Sequence, residues 1–163
     1  MRSRRSRNSS HGACLRGAAL WLFTGVLLLA ATPAFAQGSA AGRIKVVSGS
    51  VFIVRAGNVA PARLGQAVYE ADVVRTAADG RIGITLNDDT RVSLGPGSEV
   101  ALDRFAYAPA AGQLAFVLKV VRGVAAYVSG RIAKLSPDAV RLETPGAIVG
   151  VRGTTLALRV VPE

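Results

Sequence analysis

Residues 69–102 read YEADVVRTAADGRIGITLNDDTRVSLGPGSEVAL, and this stretch sharply limits what the chain can fold into. Ile82, Ile84 and Leu86, then Val92 and Leu94, then Val100 and Leu102 stand at every second position. A period of two places one set of side chains on a single face of a strand, so each run has a buried face and a wet one. The runs are separated by Asp79-Gly80, Asn87-Asp88-Asp89 and Gly95-Pro96-Gly97. Glycine accepts positive φ, Asn and Asp tolerate it and bond their own backbone, and proline presets φ. The spacing predicts an up-and-down succession of short strands and no helix.

The flanking chain follows the same rule. Residues 43–47 and 50–55 are apolar runs joined by Ser48-Gly49, which predicts a hairpin with Ile44, Val46, Val51 and Ile53 inward. Residues 57–66 contain Pro61 and Gly65 and are expected to form a loop; residues 68–76 return to strand. Residues 113–121 are apolar on both faces, as in a central strand covered on each side, although a short helix also fits. Arg122-Gly123 is expected to break this run ahead of a further strand over 124–129. Residues 130–138 form a loop around Pro137. Val140 and Leu142 point inward from the next strand, and Thr144-Pro145-Gly146 turns the chain into last strands over 147–151 and 154–161. Short strands with turn signals about every ten residues predict an all-β fold, a compact sandwich or roll of mostly antiparallel strands. A short β-solenoid is the second choice, because no exact repeat is visible.

The first 36 residues follow a different logic. Arg2, Arg4, Arg5, Arg7 and Arg16 precede an apolar run over residues 18–32, and Pro33-Ala34-Phe35-Ala36 follows. A basic segment, an apolar segment and an Ala-x-Ala site make a secretory signal. Cleavage is expected between Ala36 and Gln37, leaving 37–42 as a small-residue linker and 43–161 as the folded domain. The other reading is an uncleaved anchor, against which the run is shorter than the roughly 20 residues of a span. The expected location is the periplasm or the exterior, with no membrane span in the mature form.

Removing that segment changes the chemistry available. Five of the twenty Lys and Arg lie before residue 37 and none of the ten Asp and Glu does, so the remainder carries fifteen against ten, a net +5. Those charges are scattered, and aromatic side chains are few, so no base-stacking platform for nucleic acid is evident. The one His and the one Cys, His11 and Cys14, also lie in the leader. Ser-His-Asp and Cys-His nucleophiles and Cys/His zinc sites are therefore excluded from the mature chain. No catalytic residue, metal or cofactor is expected. Asp88-Asp89 at a hairpin tip could be a weak calcium site, but turn chemistry explains the pair better.

The order of residues resembles the FecR domain. The family's Gly-Asp-x-Val/Ile-x-Thr strand appears as Ala71-Asp72-Val73-Val74-Arg75-Thr76, with Ala71 in place of the glycine. Its Asp-Gly-Ser/Thr turn appears as Asp88-Asp89-Thr90, with Asp89 in place of the glycine, and Gly95-Pro96-Gly97-Ser98 supplies the proline turn. The closing signature appears as Thr144-Pro145 and Val151-Arg152-Gly153-Thr154. The resemblance covers roughly residues 43–161. It marks Asp72, Arg75, Thr76, Asp88, Thr144, Pro145, Arg152, Gly153 and Thr154 as positions of structural or partner contact. Gly153 is expected at a bulge or a conformation that a Cβ would forbid. Arg152 is expected to reach a carboxylate such as Asp72 or Glu143, and Thr154 to bond a neighbouring backbone group. The segment is either a fold-defining corner or a partner surface.

Well-known FecR-family members are membrane-spanning regulators that engage a sigma factor inside and an outer-membrane receptor outside. This chain is similar to their periplasmic domain only. Residues 1–17 are too few and too polar for a sigma-binding domain, and neither a receptor-facing domain after Val161 nor sigma-factor regulation is expected. The first expectation is an exported, non-catalytic binding or scaffold module whose partner is another envelope protein. Two others are a truncated, membrane-anchored signal-transduction regulator and a module for peptidoglycan or an anionic polysaccharide.

Overall fold

In a computed structural model the described residues are 38–151 and 155–161. They form twelve strands: β1 (Gly42–Ser48), β2 (Val51–Arg55), β3 (Asn58–Pro61), β4 (Ala67–Val68), β5 (Val73–Thr76), β6 (Arg81–Leu86), β7 (Arg91–Leu94), β8 (Glu99–Ala108), β9 (Gln113–Val128), β10 (Val140–Thr144), β11 (Ala147–Gly150) and β12 (Thr155–Val160). Among the described residues a single α-helix, α1 (Arg131–Leu135), lies between β9 and β10. The all-β expectation holds, and the strands curl into a half-barrel.

β9 organises the whole. Its first half pairs with β8 on one side and β10 on the other, and its second half pairs with β7 and β12. Two sheets therefore share one strand: β4-β1-β6-β7-β9-β12 and β3-β2-β5-β8-β9-β10-β11. All pairings are antiparallel except β9 with β10. Gly123 does not break β9, as the sequence implied, but bends it from one sheet into the other. Its φ is +88°, and a Cβ there would overlap Ser98 and the Gly97 carbonyl.

The inner faces of the two sheets pack against each other. Val74, Val100 and Leu118 of one sheet and Ile84, Val92 and Leu94 of the other surround the same small apolar void. Phe116 and Tyr127, one from each half of β9, approach to 5.5 Å between ring centroids. Burying each such side chain is worth roughly 1.5–3 kcal/mol, so this face-to-face layer is the main source of stability.

Several local expectations need correction. β1 and β2 do not form a hairpin: β1 pairs with β4 and β6, and β2 with β3 and β5. Ser48-Gly49 carries the chain from one sheet to the other, with Gly49 at φ +66° pressed against the Asp79 carbonyl. Ile44, Val51 and Ile53 are buried as expected, but Val46 is 57% exposed. A bulge between Ile44 and Val46 shifts the register and turns its side chain outward. β3 occupies part of the expected 57–66 loop, and α1 with a 3-10 turn at Pro137–Ala139 occupies the expected 130–138 loop. The small-residue linker is already ordered at its end, where Ala41 is buried and bonded to Val68 and Asn87.

The crossings gather at one end of the molecule. The Thr76 hydroxyl donates to the Gly95 carbonyl at 2.7 Å and accepts from the Ser98 N–H at 2.8 Å. The Ser98 hydroxyl donates to the Val124 carbonyl at 3.0 Å and accepts from the Val124 N–H at 2.9 Å. These two buried hydroxyls satisfy backbone groups that leave one sheet before joining the next.

Candidate functional site

The opposite end holds two buried carboxylates. Asp72, in the turn before β5, is fully buried. Arg55 at the end of β2 meets it side-on, with Nε to Oδ1 and Nη2 to Oδ2 both at 2.7 Å. The same guanidinium donates to the Ala67 carbonyl and lies 4.2 Å from the centre of the Tyr69 ring. The Tyr69 N–H adds a third bond to the carboxylate at 2.8 Å. The Asp72 hydrogen bond raises the Arg55 pKa, with desolvation opposing it. Among the described residues the arginine that meets Asp72 is Arg55, which the sequence did not single out; the expected reach of Arg152 to Asp72 or Glu143 lies outside the described residues.

Asp88 is equally buried but is held by neutral groups. It accepts from the Thr90 N–H at 3.1 Å, the Thr90 hydroxyl at 2.7 Å and the Ile132 N–H at 3.3 Å. Its backbone carbonyl accepts from the Arg131 N–H at 2.6 Å. Asp88 therefore closes its own turn and docks the start of α1. Its oxygens are committed to donors, and the neighbouring Asp89 pairs with Arg131 at 2.8 Å on the surface. Among the described residues no three His, Cys, Asp or Glu side chains converge as metal ligands. Tyr127, buried opposite Val92, has its phenol near Thr90 and Asp88. Burial pushes its phenol up to about 12, the Thr90 hydroxyl pulls it down, and the Asp88 charge adds to the rise. No hydrogen bond of ordinary geometry reaches that phenol oxygen.

Ala71 and Asp89, which stand where the resembled family has glycine, both adopt left-handed backbone, at φ +65° and +67°. The turns keep the glycine geometry without the glycine.

The remaining marked positions separate. Arg75 lies on the outer face, where it and Arg122 share Glu99 at 2.9 and 3.2 Å. Exposed pairs of this kind contribute little. Thr76 is in the crossing end already described. Thr144 and Pro145 form the β10–β11 turn, where the Thr144 hydroxyl accepts from the Ala147 N–H and donates to the Ala147 carbonyl, both at 3.0 Å. Ala36, Gln37, Arg152, Gly153 and Thr154 lie outside the described residues.

Thr144 and Pro145 border the feature most suited to contact. A cleft of about 630 Å³ opens between β11 and β12, lined by Val149 on one side and Leu158, Arg159 and Val160 on the other. Val149 stands opposite the buried Leu142, and Leu158 opposite the buried Ala125, so both belong to inner faces. They are only half-buried, because the roll is open here. Among the described residues, β11 pairs only with β10 and β12 only with β9, leaving each an unpaired main-chain edge. The sequence placed strands over 147–151 and 154–161 without assigning these side chains a face. That their inner face is only half-covered by the described residues is visible in the fold alone.

No helix among the described residues is long and apolar enough to cross a membrane. A family model described as FecR protein matches residues 72–162, more than half of the chain. No curated protein and no solved structure matches it.

Proposed function

Because the chain belongs to the FecR family, whose domain is envelope-associated and related to signal-transduction regulators, we propose that it acts as an exported, non-catalytic module that binds another envelope polypeptide. The open side of the roll carries this reading. Among the described residues two unpaired strand edges and a half-covered apolar face lie together there, and an exposed edge recruits a partner by main-chain pairing. The lack of His and Cys after residue 14 supports a role without nucleophilic chemistry. The leader supports export and trimming after Ala36.

Two measurements test the reading. N-terminal sequencing of the envelope-fraction protein should start at Gln37; a protein retained in the membrane with residues 1–36 attached would overturn the trimmed form. Photo-cross-linkers placed on exposed edge residues should trap a discrete partner in the envelope, and failure at every edge would overturn polypeptide binding.

A further inference from the structure

We propose that the opening beside β11 is the seat of one extended strand from the partner, with apolar and acidic residues in alternation. The proposal rests on the reading above and names where and what.

The free edges of the roll are not alike. β3 ends at Pro61, which has no N–H to offer, β4 is two residues long, and β12 carries Arg159. Short length, proline and charge are the usual guards against unwanted pairing. β11 has none of the chemical guards: Ala147-Ile148-Val149-Gly150 has no charge and no proline, and Ile148 is 70% exposed. A strand laid along β11 would have its inward side chains over Val149, Leu158 and Val160, all apolar and half-buried. Alternate residues of the guest must then be apolar, by the period of two. Its other residues face outward beside Arg159, which lines the cleft and joins none of the four ion pairs among the described residues. A carboxylate at those positions complements Arg159 and the net +5 of residues 37–163. The guest covers the inner face that β11 and β12 leave open, and thereby closes the roll.

The probe is an end-capped synthetic peptide of alternating valine and glutamate, titrated into the mature protein and followed by amide NMR and hydrogen exchange. The expected result is protection and shift changes at residues 147–150. The lysine-for-glutamate peptide should bind about tenfold more weakly, a difference typical of one lost favourable charge contact. Ile148→Pro should abolish binding, and Arg159→Glu should reverse the preference between the two peptides. Arg159 is exposed, so that variant keeps the test decisive if Ile148→Pro fails to fold. Changes confined to β3, no change at all, or an unaltered preference in Arg159→Glu would overturn the proposal. So would a dimer of the protein itself that Ile148→Pro dissolves. A partner trapped from Val59 on β3 but not from Ile148 would sink this site and leave polypeptide binding standing; no trapped partner at all, with peptide binding intact, would sink only the broader reading.

Discussion

Asp72 and Asp88 are equally shut off from water, yet they are neutralised in opposite ways. Asp72 meets a full positive charge in a two-point pair, and Asp88 meets only N–H and O–H dipoles. The first arrangement ties distant strands together, because Arg55 comes from β2 and also holds the Ala67 carbonyl at β4. The second is short-range in the turn and long-range only where it anchors α1. A buried charge needs compensation in either case, but the source of the compensation determines what is lost when one partner goes.

The largest effect should come from Arg55→Met. It takes the guanidinium away from the buried Asp72 carboxylate, and because Arg55 is itself 37% exposed the cost is about 2–4 kcal/mol, short of that for breaking a fully buried pair. Urea denaturation would measure this, and the double variant Arg55→Met, Asp72→Leu should recover much of the loss. If the double variant is no better than the single one, the pair is not what stabilises that turn.

Asp88→Asn should cost less, about 1–3 kcal/mol, as expected when hydrogen bonds of a buried group are lost without exposing a counter-charge. Hydrogen exchange should quicken at Arg131 and Ile132 before it does in β6 or β7. Equal loss of protection everywhere would show that Asp88 supports the whole roll and is more than a dock for α1.

The turns flanking these aspartates offer a gain. Left-handed backbone costs a residue with a Cβ roughly 1–2 kcal/mol, and Ala71 has no polar side chain to offset it. Ala71→Gly should therefore raise stability by about 1 kcal/mol after the extra freedom of glycine in the unfolded chain is discounted. Asp89→Gly should gain less, since aspartate tolerates this geometry and its pair with Arg131 is lost.

The smallest effect at neutral pH is expected from Tyr127→Phe, because its hydroxyl lacks a hydrogen bond of ordinary geometry. Its signature is in alkali. The folded protein holds the phenol proton up to about 12, against an ordinary 10. Stability from that group is complete below about pH 10 and is lost as pH rises through about 12. The Phe variant should lack that descent, and an unchanged alkaline profile would place the titration elsewhere.

Much of the strand content was legible, and the reason is local. Alternation at Ile82-Ile84-Leu86 and Val92-Leu94 reports burial of one face wherever the strand ends up. Pairing was less legible. Ser48-Gly49 reads the same for a hairpin as for a crossing, and only the pairing of β1 with β4 and β6 and of β2 with β3 and β5 shows a crossing. The bulge that exposes Val46 and the bend at Gly123 are likewise responses to neighbours distant in sequence. The marked residues Asp72, Thr76, Asp88 and Thr144 could be picked out as special, but not assigned roles. Arg55, the counter-charge of Asp72, carried no signal of its own among scattered arginines.

What the order of amino acids determined alone was a β protein with one wet and one dry face on its alternating strands, a turn chemistry, and the family to which it belongs. Tertiary structure alone decided which strands are neighbours, that Arg55 meets Asp72, and that among the described residues the inner faces of β11 and β12 are only half-covered. The division has a physical cause: a period of two and a preference for positive φ are properties of a few consecutive residues, whereas strand order, ion pairing and an open edge depend on packing between segments that the chain brings together only when it folds.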